Sequence, residues 1–198
     1  MTYKIRIEHD SDPMNPRTDY DNFGEMICFH RRYNLGDKHE YKHEDYDGWN
    51  ALYNALKKEE DPAEVILPLY LYDHGGVTIN TSPFSCSFDS GQIGFIVARR
   101  SKILREFTRK RMSPELRNRV RQILEGEVKT YDQYLTGDVY GYRIEDEEGD
   151  EVDSCWGFFG EDYCREEAEH VVAYLEKRDS EELAERKRVQ SMIPCCQP

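Results

Sequence analysis

The order of hydrophobic patterns along the chain limits its fold more than any single motif does. Alternating apolar and polar residues, as at Tyr3, Ile5 and Ile7, are typical of half-buried strands. Apolar residues that recur every three or four positions are typical of helices. These patterns follow one another as two strands, a helix, three strands, two helices, two strands and a helix. Because this order lacks a regular strand–helix alternation, it predicts an α+β fold, with helices packed on an antiparallel or mixed sheet.

Start and stop signals place the helices. Asp47 is expected to cap the first helix, and Ser101 to begin a short second one. Ser113, followed by a proline and an acid, is expected to begin a long helix that ends at Gly137. A last helix is predicted from about Glu161. The core residues predicted on the helices are Trp49, Leu52, Leu56, Leu116, Val120, Ile123, Val171 and Leu175.

Seven strands are predicted from the period-2 runs and the turn residues between them. Pro68 lies within one of these runs and cannot donate a backbone hydrogen bond, so that stretch is expected at a sheet edge or a bulge. The predicted strands cover residues 2–8, 25–30, 65–72, 77–80, 92–98, 139–145 and 152–159.

One domain is expected over residues 1–178, followed by a polar helix or tail at 179–198 that is expected to fray. No stretch approaches the roughly 18–20 continuous apolar residues of a membrane helix, and the N-terminus lacks the apolar core of a signal peptide. The six cysteines form no CxxC pair, which favours reduced thiols in a cytoplasmic protein.

Charge is distributed unevenly. The chain has 40 acidic and 27 basic residues, a net charge of −13. The segment from Arg99 to Arg121 contains ten Lys or Arg and two Glu, whereas the segment from Glu125 to Glu169 contains sixteen acids and three bases. Such segments form either two solvated faces or a dipolar surface for a charged partner.

Several loops contain more Gly, Asp, His, Cys and aromatic residues than a connection needs. At CFHRRYNLGDKH, LYDHGG, SGQIGF, VKTYDQYLTGDVYGY and VDSCWGFFG the chain resembles a family of uncharacterised accessory proteins encoded by bacteriophages and other mobile elements. The resemblance covers most of residues 21–160. It implies a viral protein in the cytoplasm of a bacterial host, in a setting where many genes act against host defence.

The leading hypothesis is an acidic inhibitor that binds a host defence or nucleic-acid-handling protein, in the manner of an anti-restriction or anti-CRISPR protein. Carboxylates on a rigid hairpin and helix start can replace DNA phosphates in a basic groove, so the mechanism would be DNA mimicry. The residues predicted to bind are Asp138, Glu145, Asp146, Glu147, Glu148, Asp150, Glu151, Asp153, Glu161 and Asp162.

Two alternatives stay open. A small enzyme could assemble a nucleophile, a base and an orienting carboxylate from His74, Cys86, Asp89, Asp73 and His30, although their spacing matches no known signature. A nucleic-acid-binding regulator could use a basic stripe formed by Arg109, Lys110, Arg111, Arg117, Arg119 and Arg121.

No cofactor is predicted, because neither GxxxxGK[ST] nor GxGxxG occurs. His39 and His43 have the four-residue spacing of zinc ligands on a helix. Their segment has no apolar stripe that would hold a helix, so a solvated loop is favoured over a metal site.

Overall fold

The computed structural model describes residues 2–86 and 88–192, with side chains described as far as residue 190. The chain is an α+β protein with two antiparallel sheets, which confirms the predicted class and strand pairing. One sheet was expected, but the strands divide between two compact units. We call Met14–Thr136 the central unit, and Met1–Pro13 with Gly137–Pro198 the terminal unit.

The central unit contains a four-stranded sheet and three helices. Its strands lie in the order β2-β5-β3-β4, and every neighbouring pair is antiparallel. In chain order its elements are β2 (Glu25–Cys28), α1 (Gly48–Leu56), β3 (Ala63–Asp73), β4 (Val77–Asn80), β5 (Ser90–Arg99), α2 (Arg100–Glu106) and α3 (Pro114–Thr136).

Helices cover both faces of this sheet. Leu116, Val120 and Leu124 of α3 pack in one cluster with Ile96 and other side chains of the sheet. Leu52 and Leu56 of α1 pack with Phe95 and Val97 in a second cluster. Because neighbouring residues of β5 enter different clusters, its apolar run Ile93–Ala98 is buried throughout, as expected of a strand covered on both faces.

Pro68 lies in β3, an interior strand of the sheet, but in the part of β3 that pairs with only one neighbouring strand. β5 pairs with β3 along most of its length, and Pro68 lies opposite Phe95. β4 pairs only with Tyr70–Asp73, so it begins beyond the proline. A residue without an N–H is therefore tolerated, since no second neighbouring strand needs its hydrogen bond.

The terminal unit is a three-stranded sheet with one long helix. β1 (Lys4–His9), β6 (Val139–Glu145) and β7 (Glu151–Phe159) pair antiparallel in the order β1-β6-β7, and α4 is Glu161–Met192. Tyr142 and Ile144 of β6 are buried in a cluster with Cys164, Ala168 and Leu175 of α4. One face of the sheet therefore packs on the first half of the helix.

The helix signals are confirmed except at Asp47, which precedes α1 but makes no side-chain capping hydrogen bond. The Ser113 hydroxyl accepts a hydrogen bond from the Leu116 N–H at the start of α3, and Gly137 follows its last residue with φ of +76°. Trp49, Val171 and Ile123 are only partly buried, whereas the other predicted core residues are buried. The predicted polar tail continues α4 as far as Met192.

Within the described ranges, no helix combines the length and apolar composition needed to span a bilayer.

Candidate functional site

The turn between β6 and β7 concentrates carboxylates. Asp146 Oδ1 accepts hydrogen bonds from the N–H of Glu148 at 3.0 Å and of Asp150 at 2.9 Å, which closes the turn. Ligand oxygens of Asp146, Glu148 and Asp150 lie within 4.8 Å of one another. Glu148 and Asp150 are exposed, and their carboxylates form no ion pair in the described part of the chain, so the turn presents dense negative charge to solvent.

The start of α4 carries a second group of exposed acids, at the opposite end of the β6–β7 hairpin from the turn. Asp162, Glu166 and Glu169 are exposed and recur at helical spacing on the side opposite the buried Cys164 and Ala168. Within the described residues none of these three carboxylates forms an ion pair. We call these three residues together with Glu148 and Asp150 the acidic surface, which therefore consists of two groups of carboxylates on the terminal unit.

The two units differ sharply in charge. The sequence of the terminal unit contains 21 acidic and nine basic residues, a net charge of −12. The central unit contains 19 acidic and 18 basic residues, a net charge of −1. Almost all of the excess negative charge therefore belongs to the unit that carries the acidic surface.

Several residues predicted to bind are engaged within the protein. Glu145 pairs with Arg6 at 2.6 Å, and Glu161 with Arg165 at 2.8 Å. Glu147 accepts a hydrogen bond from the Thr2 N–H. The Glu151 carboxylate lies 3.7 Å from the Arg143 guanidinium, and Asp138 also has an intramolecular partner. Asp153 is partly buried on β7.

The residues proposed for an enzyme gather at one end of the central sheet without forming a triad. His74 Nδ1 lies 3.2 Å from Asp89 Oδ2, and both side chains are largely exposed. Asp73 instead pairs with Arg32 at 2.7 Å. Among the described residues, the Cys86 thiol makes no hydrogen bond. His30 stacks on Tyr33 with ring centroids 4.9 Å apart.

A buried arginine holds the loops beside this end of the sheet. The Arg17 side chain is 1% exposed, and it donates hydrogen bonds to Asp37, Glu127 and the carbonyl of Gly24. Asp37 also accepts the Met26 N–H. The network forms part of the wall of an open, mostly polar cleft of about 850 Å³, which is also lined by Cys28, His30, Tyr33, Lys38 and His39.

Cys28 and His39 are not arranged for nucleophilic or metal chemistry. Burial, with a smaller contribution from the nearby Asp37, raises the pKa of Cys28 to about 12, so the thiol stays protonated at neutral pH. His39 Nε2 lies 3.0 Å from the Cys28 carbonyl and donates to it. His43 lies in a single 3-10 turn, not a helix. The one group of three metal-type ligands among the described residues is Asp146, Glu148 and Asp150, and an exposed acidic group by itself assigns no metal.

The basic segment is partly neutralised from within the central unit. Arg99 pairs with Glu25 and Glu59, and Arg117 pairs with Glu64. These partners lie outside the acidic segment at 125–169. The Arg119 guanidinium lies 5.0 Å from the Phe107 ring centroid. The exposed cations of this segment without a described partner are Arg109, Lys110, Arg111 and Arg121.

Comparisons with protein-family models, curated proteins and solved structures found no match to this chain. The resemblance to bacteriophage accessory proteins therefore stays a prediction. Sequence patterns also missed the buried Arg17 and the exposed Trp156, because both depend on contacts between distant segments.

Proposed function

We propose that the protein is a phage-type accessory protein that binds and inhibits a host defence or nucleic-acid-handling protein. Binding occurs through the acidic surface of the terminal unit. The observation that carries the proposal is the net charge of −12 on this unit, which exposes five carboxylates that form no ion pair with any described residue. The proposed setting is the cytoplasm of a bacterial host, and the mechanism requires no cofactor.

Electrostatics supports competition with nucleic acid. The backbone that carries these carboxylates is a hydrogen-bonded turn and a helix, which are formed before the partner arrives, so little backbone entropy is lost on binding. Their field attracts a basic, DNA-binding groove and speeds association. The same field repels duplex DNA, which makes direct DNA binding by this unit unfavourable.

The test is inhibition of purified restriction endonucleases and RNA-guided nucleases acting on labelled duplex DNA. We expect inhibition of at least one enzyme, and weaker inhibition as salt rises. A variant with Glu148→Gln, Asp150→Asn, Asp162→Asn and Glu166→Gln removes four charges that make no internal ion pair. This variant should associate about tenfold more slowly.

The matched control removes four exposed, unpaired acids from the central unit: Glu40→Gln, Glu44→Gln, Glu60→Gln and Glu125→Gln. It should inhibit like the unaltered protein, because the same four negative charges are removed from the central unit and the acidic surface stays intact. Full inhibition by the first variant would refute mimicry. A shift of labelled DNA by the protein alone, lost on replacing Arg109, Lys110, Arg111 and Arg121, would instead favour the nucleic-acid-binding alternative.

A further inference from the structure

β7 is an open edge of the terminal sheet. It follows β6 in the order β1-β6-β7, and no second strand pairs with it in the part of the chain that the structure describes. Every second residue of such a strand directs its N–H and C=O away from the sheet, where a further strand can bind them. Ser154, Cys155 and Trp156 are all exposed, although successive residues point to opposite faces. The strand is therefore accessible from both faces as well as along its edge.

Two bulges define how much of the edge is regular. Phe158 lies opposite Tyr140 and Trp156 opposite Gly141, so Gly157 is an extra residue. Asp153 lies opposite Ile144, and Glu151 opposite Glu145, so Val152 is a second extra residue. Bulges interrupt strand pairing, which leaves Asp153–Trp156 as the stretch able to accept a partner strand in register.

An aromatic side chain is available on the face away from α4. The ring of Trp156 lies over Gly141, where a Cβ would come within 2.2 Å of it, and the Arg143 guanidinium lies 5.7 Å from its centroid. Trp156 is nevertheless 40% exposed. Large aromatic side chains fixed in place but partly open to solvent are frequent anchors in protein interfaces.

Negative charge lies on the face toward α4. Asp153 lies opposite the buried Ile144, on the face that packs on α4, and the pKa of Tyr142 on that face is raised by burial and by the charges of Asp153 and Glu167. Tyr142 lies directly opposite Cys155 of β7. A strand added beyond Cys155 would meet these carboxylates on one face and Trp156 on the other.

We propose that the edge of β7 between Asp153 and Trp156 is the docking site for an extended, basic segment of the partner protein. The segment adds to the sheet as a fourth strand, with Lys or Arg side chains toward α4 and apolar side chains toward Trp156. This inference rests on the proposed function, and it specifies which kind of segment in the partner protein the terminal unit binds. Charge complementarity selects this occupant over a second copy of the chain, since two terminal units of net charge −12 repel each other.

The test uses the full chain and a nine-residue synthetic peptide with lysine at every second position and valine or threonine between. Hydrogen exchange should slow by about tenfold or more at the outward-facing amides within 153–156 when the peptide binds. A peptide of the same charge that is N-methylated at every amide has no N–H to donate, and its methyl groups block both of its edges, so it should give no protection.

Trp156→Ala should weaken peptide binding about tenfold, whereas Phe88→Ala, a change at another exposed aromatic residue, should not. Because Trp156 also packs on the sheet, Asp153→Asn serves as a second, milder variant and should weaken binding several-fold. Equal binding of both peptides without amide protection would overturn strand addition. In that outcome the nuclease assay could still succeed, so the two proposals fail separately.

Discussion

Arg17 offers the sharpest test of how the central unit is held together. Its guanidinium is 1% exposed, and the carboxylates of Asp37 and Glu127 that it contacts are 21% and 15% exposed. Arg17→Met would leave two poorly hydrated carboxylates facing each other without a cation. Breaking a buried ion pair by removing one partner costs about 3–5 kcal/mol. Backbone N–H groups of Phe23, Gly24 and Met26 still bind these carboxylates, which favours the lower half of this range.

The assay is urea unfolding followed by fluorescence. The chain contains two tryptophans, so Trp156→Phe leaves Trp49 as a single reporter within the central unit. The free energy of unfolding should fall by about 3–4 kcal/mol with an unchanged slope. In the matched control, Arg105→Ala removes one partner of an exposed ion pair in the central unit and should cost about 0.5 kcal/mol or less. A loss below about 1 kcal/mol for Arg17→Met would refute the view that this network is desolvated.

Two further predictions concern backbone packing and thiol reactivity. Gly94→Ala should destabilise the protein by several kcal/mol in the same assay, because its Cβ would lie 1.9 Å from the Ile27 carbonyl oxygen, whereas Gly91→Ala, with nothing within 4 Å, should be nearly neutral. Comparable losses for the two glycines would contradict the β2–β5 register. In the folded protein at pH 8, iodoacetamide should label the exposed Cys155 much faster than Cys28 or Cys164, because burial raises the pKa of Cys28 to about 12 and of Cys164 to about 11. Mass spectrometry that finds Cys28 labelled as fast as Cys155 would contradict the burial of Cys28. Cys195 and Cys196, also expected to be free, lie outside the described residues.

Local sequence patterns were sufficient to place most elements and the helix caps. The period of two and the period of 3.6 are properties of the backbone over a few residues, so Ser113 and Gly137 could mark the ends of a helix without any distant contact. The excess of acids after Glu125 is likewise a property of composition. These patterns determined the α+β class and the acidic character of the chain.

Only the tertiary structure decided which of these residues face each other. Arg17 lies in a segment that reads as a polar loop, and its burial depends on Glu127, which is 110 positions away. Asp73 was a candidate to orient the base in the enzyme alternative, yet it pairs with Arg32, because the fold brings two loops to the same end of the sheet. Partners this distant leave no periodic signal in the sequence.

The edge strand illustrates the same limit. Simple alternation would place Trp156 and Phe158 on one face, but the extra residue Gly157 turns them to opposite faces, one toward solvent and one toward α4. A bulge depends on the register between two strands, and that register is set by how both strands pack on α4. The sequence therefore determined that β7 forms, and its partners in the fold determined which side chains it presents.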